Sequence, residues 1–265
     1  MATQPPATNN LPIFYGALEP LSSTQHGDYR SRSSDKAPYL AGTHAIPITI
    51  DEFVSVQRFF PIVFSSGDNP VPLALMGLNE GTNVFVGADG ALLTEIYVPA
   101  YVRRYPFMLA RLQQDAQELS LCFDPTSDLV GRFDEGAPLF EDGKPSEATN
   151  NVLKFCEEFE MSAQRTVAFV KELTDGGLLM EGEVSIQPSD AEQPFVYRGF
   201  QMINEEKIRE LRGDELRKMN QNGMLPLIVA HLFSLTLMRE VFAKQVQQGN
   251  GPQANALGGA AAGNA

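Results

Sequence analysis

The sequence is poor in cysteine, histidine and positive charge, and each shortage removes a class of function. Cys122 and Cys156 are the only two cysteines. They form no CxxC pair and neither has a metal-ligand companion at short spacing, so no sequence-coded zinc site is present. So sparse a use of thiols fits a reducing cytoplasm, although the two could still form one bridge. Lys and Arg total 20 against 33 Asp and Glu, a formal net charge of −13. Such a chain repels a polyanion unless its cations gather on one face, so neither nucleic acid nor an anionic membrane surface is an expected partner. Long apolar runs are missing too. Leu225 to Met238 is interrupted by Pro226, His231, Ser234 and Thr236 and falls short of the roughly 20 residues of a spanning helix, which predicts a buried helix and no membrane insertion. Met1 to Asn10 has neither a basic n-region nor an apolar h-region, so a cleaved secretory signal is not expected and a cytoplasmic location is.

The common catalytic signatures are also lacking. There is no GxSxG elbow, no GxxxxGK[ST] phosphate loop, no GxGxxG after a strand and no HExxH, which leaves most familiar enzyme classes without sequence support. Asp89-Gly90 and Asp134-Glu135 place carboxylates in turns, where Asp and Gly serve the backbone, so paired acid and base catalysis does not follow from them. Of the three histidines, His26 lies in an irregular lead-in. A non-haem iron site of the two-His-one-carboxylate kind would need His44 and His231, with no spacing motif behind them, and no metal is expected. His231 sits in an otherwise apolar helix, where a buried ring paired to a backbone group is the plainer reading.

What the chain does contain is an α+β pattern, a mostly antiparallel sheet with a long central helix and a C-terminal helical segment. Residues 1–43 are rich in Ser, Thr, Pro, Asn and Gly and read as an irregular arm; 44–248 read as a single globular domain; 249–265, Gly, Ala, Asn and Gln with little to bury, read as a disordered tail. Thr49 followed by Glu52 has the form of a capping box for a helix over Ile50 to Phe59. Pro61 to Ser65, Pro72 to Leu78 and Asn83 to Gly87 are β-rich runs separated by turn compositions, which predicts an antiparallel meander. From Val98 the spacing of Tyr101, Tyr105, Met108 and Leu112 turns helical, with Pro99 and Pro106 bending or shortening the helix. Leu119 to Asp124 reads as a strand. Ser146 caps the long helix, Val152, Phe155, Phe159, Ala163, Val167, Val170 and Leu173 line its apolar face, and Gly176-Gly177 ends it. Leu178 to Gln187 and Phe195 to Ile203 have strand character around Pro188-Ser189-Asp190. Asn204 and Asp214 cap two short helices, and Gly223 precedes the last helical stretch, Met224 to Val246.

Arg103-Arg104-Tyr105-Pro106 is the densest cationic spot in this acidic chain. An arginine pair beside aromatics can clamp a carboxylate or phosphate or stack on a ring; the alternative is ion pairing with acidic loops. Tyr101, Arg103, Arg104, Tyr105 and His231 are therefore the candidate ligand-binding residues, for an anionic small molecule or a protein partner. Cys122 and Cys156 read as small core residues.

Several segments together resemble the SapC family of bacterial proteins: PIVFSS with PLALMGL, then YVPAYVRRYPFMLA, LCFD, GAPLFEDGKPS, GFQMINEEKIREL and NGMLPLIVAHLFSL. They run from His44 to Ser234 in the family's order. The similarly named permease of a peptide transporter is a different protein, with membrane spans. The resemblance implies a link to a bacterial surface layer and to outer-membrane TonB-dependent receptors, but no reaction. Family-pattern positions fall on Tyr101, Arg103, Arg104, Tyr105, Pro106, Phe107, Cys122, His231 and Ser234, and the family assigns a role to none of them. The functional expectation is a cytoplasmic accessory or binding protein serving surface assembly or nutrient uptake. An enzyme of unrecognised type acting on an anionic small molecule or peptide, and an exported surface-layer component, are the alternatives.

Overall fold

The computed structural model describes residues 11–112, 119–187 and 194–251. Among them the chain is α+β, with every strand pair antiparallel. The helices run in chain order as α1 Phe53–Val56, α2 Ala100–Arg103, α3 Glu147–Asp175, α4 Glu205–Glu210, α5 Gly213–Gln221, α6 Met224–Ser234 and α7 Met238–Gln247. The described residues gather into two compact units, one within 11–37 and 98–166 and the other within 38–97 and 167–251. The predicted tail beyond residue 251, the first ten residues and the Pro188-Ser189-Asp190 turn lie outside the described residues.

The first unit includes much of the segment predicted as an arm. Glu19–Pro20 pairs with Ser120–Phe123, which pairs in turn with Phe107–Ala110. Arg30–Ser31 lies between Val130–Gly131 and Ala137–Pro138. Tyr15 and His26 are buried, and the Tyr15 hydroxyl donates to the Phe107 carbonyl at 2.7 Å. The segment is irregular in backbone yet anchored, because a few aromatic side chains carry burial that its polar composition conceals.

The helix predicted from Val98 stops after one turn. Pro106 lacks an N–H and disfavours helical backbone at Tyr105, and beyond it Phe107–Ala110 adopts the two-residue period of a strand, with Phe107 and Leu109 buried. Phe107, Leu109, Phe123, Val130, Leu139 and Cys156 form the core of this unit.

Helix α3 begins where its cap predicts: the Thr149 backbone N–H donates to Ser146 Oγ at 3.2 Å. It ends in a paired closure, with the Leu178 N–H on the Leu173 carbonyl and the Gly177 N–H on that of Thr174. Gly177 has φ +60°, which a residue without Cβ adopts at little cost. Its buried face is turned from the predicted stripe, most clearly around Val167. Val167 is 69% exposed, while Ser162, Thr166 and Phe169 are buried. The Thr166 hydroxyl donates to the Ser162 carbonyl at 2.7 Å, so a polar side chain enters the helix interior face with its own partner and displaces the expected valine.

The second unit holds a five-stranded sheet in the order Leu179–Glu181, Phe200–Ile203, Ile62–Ser65, Pro72–Leu75, Ala45–Pro47. The two runs around residue 190 both pair with each other and extend the sheet, through Val184–Ile186 with Phe195–Tyr197 and through Phe200 opposite Ser65. The predicted meander holds for its first two strands. Asn83 to Gly87 contributes only a bridge, Val86 with Leu92, and its place at the edge is taken by Ala45–Pro47. Asn83 explains the loss: its amide donates to the Leu40 and Thr43 carbonyls and its oxygen accepts from the Phe85 N–H, holding a loop instead of a ladder.

Glu52 accepts from the Thr49 backbone N–H at 2.9 Å, as the capping pattern predicts, and also from the Thr49 hydroxyl at 2.9 Å. The helix it starts is shorter than expected, one 3-10 turn over Ile50–Glu52 followed by α1. Asn204 caps α4 by accepting from the Lys207 N–H. Asp214 does not cap α5. Arg212 holds that position, and its N–H is taken by Glu215 three residues on.

Gly223, at φ +81°, opens the last stretch. Met224–Gln247 is longer than the apolar run read from sequence and, among the described residues, is long and apolar enough to cross a membrane by length and composition. Within the second unit it buries Ile228, Ala230, Met238, Val241 and Phe242, together with the polar His231, Ser234 and Gln245.

Candidate functional site

Arg103 and Arg104 end the single turn of α2 and flank a hollow of about 320 Å³ in the first unit, with Phe107, Asn151, Val152, Phe155 and Cys156 as its other walls. The two arginines differ. Arg103 is exposed, donates from Nε to the Val98 carbonyl at 3.1 Å and lies over the Phe155 ring at 5.2 Å. Arg104 is only 7% exposed. Its guanidinium sits 4.4 Å from the centroids of both Tyr101 and Phe159, one ring from α2 and one from α3. Nη1 is 3.6 Å from Glu160, a loose ion pair, and Nε has no hydrogen-bond partner among the described residues. Two aromatic faces offer the buried guanidinium favourable ring quadrupoles in place of water, while its fork retains an unused donor among the described residues.

The charge reaches its neighbours. Burial raises the pKa of Glu160, opposed by Arg104. Burial also raises Tyr101, again opposed by Arg104, and raises Tyr15, whose ring stacks edge-on against Tyr105. Burial pushes the Cys156 thiol up to about 11, with Arg104 pulling the other way, and Cys122 up to about 11. Both cysteines are free and buried, and thiols held protonated to that degree are packing groups at neutral pH.

Tyr105 leads to a residue that the sequence reading passed over. Asp124 is fully buried and accepts from the backbone of Gly16 (2.8 Å), Ala17 (3.3 Å) and Thr126 (2.9 Å), from the Thr126 hydroxyl (2.7 Å) and from the Tyr105 hydroxyl (3.3 Å). Burial by itself would raise its pKa; the bonds from Thr126, Gly16 and Ala17 outweigh it and hold the carboxyl below the usual range. The only sequence signal was local, an Asp two residues before a Thr at the end of a strand, the pattern of an Asx turn.

His231 belongs to the second unit and is not among the walls of the arginine hollow. It is wholly buried. Nε2 accepts from the Ile203 N–H at 3.1 Å, the ring lies 5.2 Å from Phe64, and Nδ1 has no hydrogen-bond partner among the described residues. Burial drops its pKa to about 4, with the Ile62 backbone opposing slightly, so the ring is neutral at pH 7. Its neighbour Ser234 accepts from the Ile62 N–H at 2.9 Å and donates to the His231 carbonyl. Together His231 and Ser234 tie α6 to two adjacent strands. Of the sequence candidates, Tyr101, Arg103, Arg104 and Tyr105 lie in the first unit and His231 in the second. Among the described residues no group of three or more His, Cys, Asp or Glu side chains is placed to hold a metal ion.

Residues 21–241 match the SapC family, which covers Arg103, Arg104, Asp124 and His231 alike. The chain belongs to the SapC family. The SapC match begins before His44, and so takes in the strands at Arg30–Ser31 and the buried His26 that the quoted segments had left out. No curated protein and no solved structure matches the chain.

Proposed function

We propose that this SapC-family protein is an accessory or binding protein that captures an anionic group, carried by a small molecule or a protein partner, at the arginine-flanked hollow of the first unit. The observation that carries the reading is the Arg104 side chain: nine-tenths buried, held between Tyr101 and Phe159, with Nε unpartnered among the described residues. Buried polar groups are nearly always paired, and guanidinium forks suit carboxylate and phosphate. The hollow, at about 320 Å³, falls within the roughly 300–1,000 Å³ that small-molecule sites occupy. Arg103 adds a second cation at the same hollow.

The wider role follows the family: service to a surface layer or outer-membrane receptor, or to nutrient uptake, from the cytoplasmic side. The two free, buried cysteines support a reducing compartment. Acid–base catalysis by His231 has little support, because its ring is sealed and neutral.

The test is purification from the native host followed by mass spectrometry of bound small molecules and co-purifying proteins, with Arg104→Gln, Arg103→Gln and His231→Gln in parallel. Loss of an anionic ligand or partner in the arginine variants, but not in His231→Gln, is the expected result. Retention of every captured species in Arg104→Gln overturns the reading.

A further inference from the structure

The walls of the arginine hollow divide by polarity. Phe107 and Cys156 belong to the apolar core of the first unit, and Val152 packs against that core. Helix positions three and four apart share a face, so Asn151, Val152 and Phe155 come to the hollow together from the early turns of α3. Phe159, one turn further on, is the ring that meets Arg104. Most of the lining is thus hydrocarbon continuous with the core. The polar remainder is the exposed Asn151 and the two arginines, and the Arg103 guanidinium is set over one of the walls, 5.2 Å from the Phe155 ring.

The charge around these walls is modest. Two guanidiniums line the hollow and, among the described residues, no carboxylate does. Carboxylates stand close by, however. Glu160 lies 3.6 Å from Arg104, and the Cys156 wall feels three neighbouring charges: Arg104 lowers its pKa, while Glu160 and the exposed Glu157 raise it. These acidic groups offset part of the cationic field. A dianion entering here meets too little positive charge to replace its water, whereas one carboxylate is matched by one guanidinium fork. The apolar walls favour hydrocarbon on the rest of the guest, since Phe107, Val152 and Phe155 then lose contact with water. A volume of about 320 Å³, near the lower end of the roughly 300–1,000 Å³ of small-molecule sites, suits one ring or a short chain.

We propose that the hollow takes a small monocarboxylic acid with an apolar body, its carboxylate meeting Arg103 and its hydrocarbon lying against Phe107, Val152 and Phe155. This rests on the reading of the hollow as an anion site and narrows it from any anion to one that is singly charged and amphipathic.

The test measures binding to the full chain by ligand-detected NMR with 3-phenylpropionate, 3-phenyl-1-propanol, acetate and inorganic phosphate. It is repeated on Arg103→Gln and on Arg198→Gln, which removes an exposed cation from the second unit. Arg103 is exposed, so its replacement leaves the fold intact, and an amide spectrum checks this. The expected result is binding of 3-phenylpropionate that is at least roughly tenfold tighter than that of the other three probes, weakens about tenfold in Arg103→Gln and is unchanged in Arg198→Gln. Phosphate or acetate binding as tightly as 3-phenylpropionate, with the same loss in Arg103→Gln, overturns the amphipathic monocarboxylate class while anion capture stands. Equal binding of 3-phenyl-1-propanol, or no effect of Arg103→Gln, overturns the inference because the arginine then selects nothing. Absence of 3-phenylpropionate binding overturns it as well; anion capture itself fails only if Arg104→Gln retains every species captured in the native host.

Discussion

Asp124 in the first unit and His231 in the second are both fully buried, and both have a lowered pKa, yet one is charged and the other is not. For an acid a lowered pKa means that the charge persists; for a base it means that the charge is refused. Desolvation disfavours the charged form in both cases. At Asp124 five donors converge on two oxygens and reverse that preference. At His231 one backbone N–H binds the neutral ring, and the Ile62 backbone, which favours the protonated form, is outweighed by burial. The state of a titratable group without accessible surface is thus set by the count and type of its partners together with the depth at which it lies. Arg104 adds a third arrangement, a buried guanidinium held by two aromatic faces and one loose carboxylate.

The largest expected effect is on the His231 side. Its folded pKa of about 4 lies below the ordinary unfolded value near 6.5. Above pH 6.5 the ring is neutral in both states and contributes no pH dependence. As pH falls from 6.5 towards 4 the unfolded chain takes up the proton first, so stability is lost across that window. The loss attributable to this residue is on the order of 3 kcal/mol. Urea unfolding at pH 7 and pH 4.5 should show a steeper acid loss in the native chain than in His231→Gln. Equal slopes would break the contrast with Asp124.

A somewhat smaller effect is expected from Asp124→Ala, roughly 2–3 kcal/mol, since it strips the partner from charge-assisted bonds to Gly16, Ala17 and Thr126. Asp124 contributes most above the unfolded carboxyl pKa and loses that contribution as pH falls. Denaturant unfolding gives the size, and limited proteolysis should cut nearer Gly16 and Ala17 in the variant than in the native chain. A loss below about 0.5 kcal/mol would mean that water replaces the carboxylate and that the charged arrangement is not structural. The smallest effect sharpens the reading of α3: Val167→Ala should stay within about 0.5 kcal/mol because that side chain is solvent-facing. A cost above 1.5 kcal/mol would return Val167 to the core stripe.

Local chemistry carried much of the fold into the sequence. The Ser146 cap, the Gly176-Gly177 end, the Thr49 and Glu52 pair and the Asn204 cap are all readable because each is closed by residues within a few positions of one another. The first two strands of the meander and the pairing of the runs around residue 190 follow from period-two patterning and turn composition. SapC membership was likewise legible, spread over many short segments. Tertiary structure decided the rest. Whether Thr166 or Val167 faces inward depends on hydrogen bonding within the packed helix, since both lie near the same stripe. Asn83 turned a strand-like run into a loop through carbonyls some forty residues away. Asp124 gathers donors from more than a hundred residues upstream, and Arg104 meets Phe159 across the sequence. Nothing in a one-dimensional pattern reports a partner at that separation. Side-chain burial and hydrogen-bond count, which set charge state and leave Arg104 Nε and the Tyr197 hydroxyl unpaired among the described residues, exist only once distant segments are brought together.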